Sequence, residues 1–263
     1  MRSRDSICND ILQKFRESVK TGRAVKVSKT IDKDFIKKTF LIESPEDCVI
    51  LAWTNKRVNY WNNFIRENIF KDLIRDTILK KYYEGEILIF SGYRSSLNHT
   101  YHSNDQIKIV KVEIKDLEVP YVSCIHNEKL NKIESCKDCN IKGHTKKTKK
   151  IKFYILLDEF NNKWFKPYDD KDASQINKMK TEYKQKALNL KKKPYWEEFY
   201  GFKEHYDPDL KYSYSLTCHK SQGSQYKKVF VDISNIRLCK DLPLSLRLSY
   251  TAISRMIDVA YFI

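Results

Sequence analysis

Cys136 and Cys139 are separated by two residues, the C-x-x-C spacing that lets two thiolates hold one Zn²⁺. Cys124 and His144 flank that pair and would complete a tetrahedral set, with His126 nearby. A full zinc ribbon shows two clean pairs, so two readings stand: a metal site, or exposed thiols in a long polar loop. The loop has few apolar residues, and a metal would account for its order. Seven cysteines is an odd number, which argues against a disulfide framework. From Lys129 to Lys152 there are nine lysines against two acidic residues, densest at Lys146, Lys147, Lys149 and Lys150. Such a run either follows a phosphate backbone or is a solvated loop. The formal net charge of +16 carries the same pair of meanings, a nucleic-acid partner or a lysine-rich surface. Six glycines are present and none precedes lysine, so the chain contains no G-x-x-x-x-G-K-[ST] phosphate loop.

These groups need a folded scaffold, and the composition supplies one. At 41% apolar and 13% aromatic, 263 residues can bury the core of one large domain or two small ones. No run of about 18 uncharged apolar residues occurs and the N-terminal MRSRDSICND lacks an apolar stretch, which predicts a soluble intracellular protein without a membrane partner. Ile7, Ile11, Phe15 and Val19 mark a helix over 5–20, stopped by Gly22. CVILAW (48–53) predicts a buried strand, and Val58, Trp61, Ile65 and Ile69 the helix after it, a strand–turn–helix unit of an α/β sheet. From about residue 83, EILIF, QIKIVKVEI and KFYILL predict short antiparallel strands, an inserted β module. A helix through Ile176, Met179, Tyr183, Ala187 and Leu190 follows, with a lysine-rich outer face. The α/β rhythm then resumes with a strand at 229–233, a helix near 244–254 and a final strand VAYFI, which must pair in a sheet.

Two late segments are more specific. YSLTCHKSQGSQYKKVFVD (214–232) and LSYTAISR (248–255) resemble motifs V and VI of superfamily 1 helicases, in the RecD-like, Dda-like branch. They stand in the family's order, with an apolar strand and a helix between them. Leu51–Phe70 resembles the same family, with Asn62 and Arg66 at family-like positions, and so does the stretch from Lys193 to Thr217. Arg2-Ser3 resembles the end of motif IV over two residues only.

The resemblance implies an α/β, RecA-like P-loop NTPase fold, as the second lobe that lacks a Walker A loop, with an inserted SH3-like β subdomain. It divides the chain into 1–82 and 194–263 as domain 2A and 83–193 as subdomain 2B. It implies that Thr217, His219, Lys220 and Asn55 contact single-stranded DNA, with hydroxyl, imidazole and ammonium groups suited to phosphate oxygens. Gln222, Gly223 and Ser224 would face the nucleotide. Arg255 would act as the arginine finger on the γ-phosphate, a task for a planar, always-charged guanidinium, with Arg2 as a second cation there. ATP and Mg²⁺ would be shared with an N-terminal RecA-like half, on a separate chain or a lost segment, because the family's first motifs precede motif IV. Asp158-Glu159 imitates a Walker B strand end, but the family order puts it inside the inserted module as a solvent-facing strand end. The function expected is thus part of an ATP-dependent 5′–3′ DNA helicase. The alternatives are a non-catalytic remnant that binds single strands and a zinc-dependent interaction module. The lysine-rich composition and this motif arrangement would suit a virus.

Overall fold

Cys48–Ala52 are buried at all five positions, so both faces of this strand must be covered. The computed structural model describes residues 6–27, 30–44, 46–74, 79–96, 99–124, 144–160 and 162–263, giving only the backbone at 6–8, 94–96, 99, 122–124 and 144–146. The chain opens with α1 (Ser6–Thr21), α2 (Lys33–Ile42), β1 (Cys48–Ala52) and α3 (Asn55–Ile69). Next come β2 (Ile87–Phe90), β3 (Arg94–Ser96), β4 (His99–Tyr101), β5 (Gln106–Cys124), β6 (His144–Asp158) and β7 (Trp164–Phe165). Helices α4 (Ala173–Leu190) and α5 (Lys193–Tyr206) precede β8 (Leu210–Tyr212), β9 (Ser215–Thr217) and β10 (Tyr226–Val231). A short α6 (Ile233–Ile236), then α7 (Leu242–Ile253) and β11 (Met256–Phe262), follow.

Two compact units result. The first takes the chain up to Lys81, Ile87–Ile89 and Lys211–Ile263, and the second takes Tyr82–Glu86 and Phe90–Leu210. The first is an α/β domain on a four-stranded parallel sheet ordered β11-β10-β1-β9. Alternation along β1 sorts its side chains into two cores. Val49 and Leu51 join Phe15, Val229, Val231, Leu248 and Ala252 on the side of α1 and α7. Cys48 and Ile50 join Ile36, Phe40, Trp61, Ile65 and Phe230 on the side of α2 and α3. The final strand pairs with β10 at the edge of the sheet, and the Ile31 N–H donates to the Phe262 carbonyl.

The other edge, β9, is closed by a side chain. Asn62 Nδ2 donates to the Ser215 carbonyl at 3.2 Å and the Ser215 N–H donates to Asn62 Oδ1 at 2.9 Å, replacing a missing neighbour strand. One turn on, buried Arg66 donates to the Lys80 and Lys81 carbonyls at 2.8 and 2.9 Å and lies 3.9 Å from the Tyr212 ring centroid. The Tyr212 hydroxyl also donates to Lys81, so α3 fixes where the chain leaves the first unit and where it returns.

The second unit is built on β5 and β6, an antiparallel ribbon in register from Lys111↔Leu157 to Cys124↔His144. Both strands run past the 106–114 and 152–157 predicted from sequence. β7 pairs with β6, and β3 with β4. Val119, Ile151, Phe153 and Ile155 pack with Ile176, Met179 and Phe202 of α4 and α5. Phe202 thereby joins α5 to this unit, whereas the sequence reading broke the chain at 193, before that helix. Asp158 is fully buried and accepts from the Lys108 and Phe160 N–H groups. It is therefore a turn anchor, and the expected solvent-facing strand end is corrected, while Glu159 is exposed and pairs with Lys108.

Replacing Asn62 by Ala strands the buried Ser215 backbone groups, at about 1–3 kcal/mol for each group left unsatisfied. N62A should lower the urea midpoint of unfolding with an unchanged slope.

Candidate nucleotide and nucleic-acid interface

The C-terminal ends of parallel strands form one edge of the first unit, where loops leave the sheet and ligands of α/β folds bind. Thr217 ends β9 opposite Ala52, the end of β1. Beyond Thr217 the chain makes a tight turn. The Lys220 N–H donates to Thr217 Oγ1 at 3.2 Å and the Ser221 N–H to the Thr217 carbonyl at 3.1 Å. Thr217 thus shapes the turn as an acceptor, and its hydroxyl proton is the part that can reach a phosphate. His219 is exposed and Lys220 half-buried on that turn. Asn55 is exposed at the start of α3, directly after the N-cap Thr54. The structure therefore brings Thr217, His219, Lys220 and Asn55 to one edge of the sheet.

Beneath Asn55 lies a hub that sequence reasoning missed. Buried Asp232, just past β10, accepts on Oδ2 from Arg57 Nε at 2.5 Å and Trp61 Nε1 at 2.7 Å. Its Oδ1 accepts from the Ser234 hydroxyl at 2.6 Å and the Asn235 N–H at 2.9 Å. Asn235 Oδ1 in turn accepts the N–H groups of Trp53 and Thr54 at 2.9 and 3.0 Å. Together they staple the β1–α3 turn to the end of β10. Burial works against the Asp232 charge, but the donors of Ser234, Arg57, Trp61 and Asn235 hold its carboxyl below the usual range. The D-I-S-N spacing after an apolar strand is a helix-cap pattern that would have exposed it.

Gln222, Gly223 and Ser224 lead away from that edge. Gln222 and Gly223 are exposed, and Gly223 holds φ +91°, a conformation that favours glycine. The Ser224 N–H closes on the Ser221 carbonyl at 3.1 Å. Tyr226 then starts β10, its N–H donating to the Arg255 carbonyl at 2.9 Å. The Tyr226 phenol is buried, and burial raises its pKa, while the neighbouring Ser224 and the positive charge of Arg255 pull it back. Motif V and motif VI residues thus meet at Tyr226, at the N-terminal edge of the sheet. Arg255 is half-buried at the end of α7, with Nε donating to the Thr251 carbonyl at 3.2 Å and Nη2 to Ser254 Oγ at 2.9 Å. An arginine, a hydroxyl, an amide and an open backbone turn suit phosphate oxygens.

The remaining expected residues are dispersed. Lys147, Lys149 and Lys150 are exposed on β6 in the second unit, while only the backbone of Lys146 is described. Alternation along β6 puts Lys150 and Lys152 on one face, opposite Glu118 and Asp116, and Lys147 and Lys149 on the other, opposite Tyr121 and Val119. The run is not one continuous patch. Arg2, Cys136 and Cys139 lie outside the described residues, as do the side chains of Cys124 and His144. Among the described residues no group of three or more His, Cys, Asp and Glu is placed to hold a metal, and no helix is long and apolar enough to cross a membrane.

Residues 212–256 match the family model of the UvrD-like helicase C-terminal domain. The segment that carries both motifs is thus similar to the UvrD-like helicase C-terminal domain, in line with the sequence resemblance. A protein of Acanthamoeba polyphaga mimivirus is 25% identical over 234 residues, covering 78% of this chain and 44% of its own length. Among solved structures, Pif1 helicase from Bacteroides, in complex with ADP-AlF3 and ssDNA, is 12% identical at TM-score 0.39, covering all of this chain and 51% of that one. Pif1 helicase from Candida albicans is 12% identical at TM-score 0.35, covering 94% and 53%. Scores this low carry no weight on their own. The chain spans about half the length of these relatives.

Because the Asp232 carboxyl is depressed in the folded state, its stabilisation is present above the unfolded carboxylate range of about 3.9 and is lost as pH falls through the folded value. Asp232→Asn should therefore cost stability at neutral pH and flatten the acid limb of a plot of unfolding free energy against pH. Asp232→Ala, which leaves Arg57 and Trp61 without this acceptor, should cost about 1–3 kcal/mol.

Proposed function

We propose that this chain supplies the second RecA-like lobe of an ATP-dependent, 5′–3′ translocating DNA helicase. The observation that carries the proposal is the hydrogen bond from the Tyr226 N–H, two residues after Ser224, to the Arg255 carbonyl, which ties the end of the motif V turn to the end of motif VI. Arg255 is the finger that meets charge developing on the γ-phosphate, and Gln222, Gly223 and Ser224 line the nucleotide side. Thr217, His219, Lys220 and Asn55 take the phosphates of a single strand at the opposite edge of the sheet. Polarity rests on family resemblance. Transfer also requires a P-loop lysine and Mg²⁺-binding carboxylates, which a first RecA-like lobe must bring, with Arg2 a candidate second cation. We read the β-rich second unit as the SH3-like 2B subdomain. A Zn²⁺ on Cys124, Cys136, Cys139 and His144 belongs to the same proposal, a reading favoured by the register that sets Cys124 opposite His144.

Steady-state ATP turnover tests the proposal. The 263-residue chain should be inactive alone and active with a lobe that carries the P-loop lysine, and turnover by the chain alone would overturn the account. In the reconstituted pair, R255A should reduce kcat by roughly 10³- to 10⁵-fold, and R255K should rescue little, because an ammonium lacks the planar fork.

Lysines on the ribbon differ in their surroundings. Across the ribbon Lys149 lies opposite Val119, whereas Lys150 and Lys152 lie opposite Glu118 and Asp116. Replacing Lys149 by Ala should therefore weaken DNA binding and flatten its salt dependence more than replacing Lys150, with the slope of log affinity against log salt as the readout.

A further inference from the structure

Helix α5 carries more aromatic surface than its core uses. Phe202 packs against Val119, Ile151 and Phe153, with Tyr206 beside it. Tyr195 faces the Lys186 ammonium at 4.7 Å. Trp196, Phe199 and Tyr200 form a separate cluster. Trp196 and Tyr200, one turn apart, lie nearly parallel at 28° with centroids 6.0 Å apart, and Phe199 meets them at 6.0 and 5.1 Å. Tyr200 is 59% exposed and Trp196 half-buried, so this is contiguous apolar surface held in one orientation by its own ring contacts. Such a patch marks a binding surface more often than a solvated side.

Charge around the rings selects the occupant. Lys191, Lys192 and Lys193 are all exposed at the start of the helix, and exposed Lys203 stands seven residues after Trp196, on the same stripe. Glu197 borders the stripe and is engaged by Lys193 at 3.6 Å, and Glu198 by Lys186 at 2.7 Å. Stacked rings beside clustered lysines are the two elements by which proteins hold single strands without reading sequence: aromatic faces for the bases and cations for the phosphates.

We infer that Trp196 and Tyr200 form a base-stacking platform for single-stranded nucleic acid, with Lys191, Lys192 and Lys203 on the flanking phosphates. This site belongs to the second unit and is additional to the strand contacts of motif V. It rests on the proposed function only in taking a single strand as the ligand.

The experiment compares two probes on the full chain: an oligothymidylate of about 15 nucleotides and an abasic oligomer of equal length, with fluorescence anisotropy as the readout. Trp196→Ala and Tyr200→Ala should each weaken oligothymidylate binding by roughly 5-fold or more and leave abasic binding unchanged. Trp196→Phe and Tyr200→Phe keep a ring face and should retain most of the affinity. Lys191→Ala with Lys192→Ala should weaken both probes alike. Thermal melting checks folding, and Tyr200, the more exposed ring, carries the test if Trp196→Ala unfolds. Tight oligothymidylate binding that the ring substitutions leave intact would overturn the platform while sparing the helicase proposal, and would leave the patch as a protein-docking surface. Equal losses on both probes would also overturn it. A wild-type chain that binds neither probe would overturn both.

Discussion

The buried Asp232 carboxylate sets the geometry of the first unit. A charge taken out of water destabilises the fold unless it is matched, and here four donors from two segments match it. Two of them belong to α3 and two to the turn after β10, so the match exists only when β1, α3 and β10 hold their native register. Asn235 extends the constraint by taking the Trp53 and Thr54 N–H groups, which a sheet edge would otherwise leave to water. The turn that leads into Asn55 is therefore fixed from below by the Asn235 side chain.

The second constraint is the short connection between the two edges of the sheet. Eight residues, 218–225, run from the end of β9 to the start of β10, and their path is pinned at Thr217, Ser221 and Ser224. Ser221 is buried, with its hydroxyl donating to the Cys218 carbonyl at 2.8 Å, so the middle of the connection is anchored in the core. In the proposed motor, this gives a physical route between strand and nucleotide. A phosphate that pulls on His219 or Lys220 acts on the same turn whose far end bears Ser224 and, through Tyr226, meets Arg255. A flexible loop of that length would dissipate the displacement, whereas a pinned one transmits it.

Much of this architecture was legible in the sequence because both faces of the parallel sheet are buried. Runs such as CVILA and VFV have no polar alternation to confuse them, and the helices carry apolar stripes. Motifs V and VI were legible for a different reason: their residue types stand in the order of the helicase family they resemble. What escaped was set by partners remote in sequence. Asp232 and Asn235 read as polar residues after a strand, and only the fold reveals Arg57 and Trp61 against them, about 170 positions away. Helix α2 gave little warning, being lysine-rich with only Ile36, Thr39 and Phe40 buried. The long β5–β6 ribbon was truncated in the reading because Lys115, Asp116 and Glu118 interrupt the apolar pattern, although Leu117, Val119 and Tyr121 continue it on the inner face.

The lysine run shows how geometry redistributes charge that sequence makes look uniform. Read linearly, residues 146–152 are a single cationic block. On a strand, neighbours point to opposite faces, so the block divides into two rows with different company. One row faces carboxylates across the ribbon, where Coulomb attraction at the surface is modest but enough to lower the potential offered to a phosphate. The other includes Lys149, which lies opposite Val119. The stripe on α5 follows a different period, every third or fourth residue, and so puts rings and a lysine on one side where the strand separates its cations. A single strand needs both kinds of contact within one path, and a helix can offer them together in a way the ribbon cannot. For this reason the aromatic stripe of α5, and not the denser lysine run, is the part of the second unit best formed to hold bases.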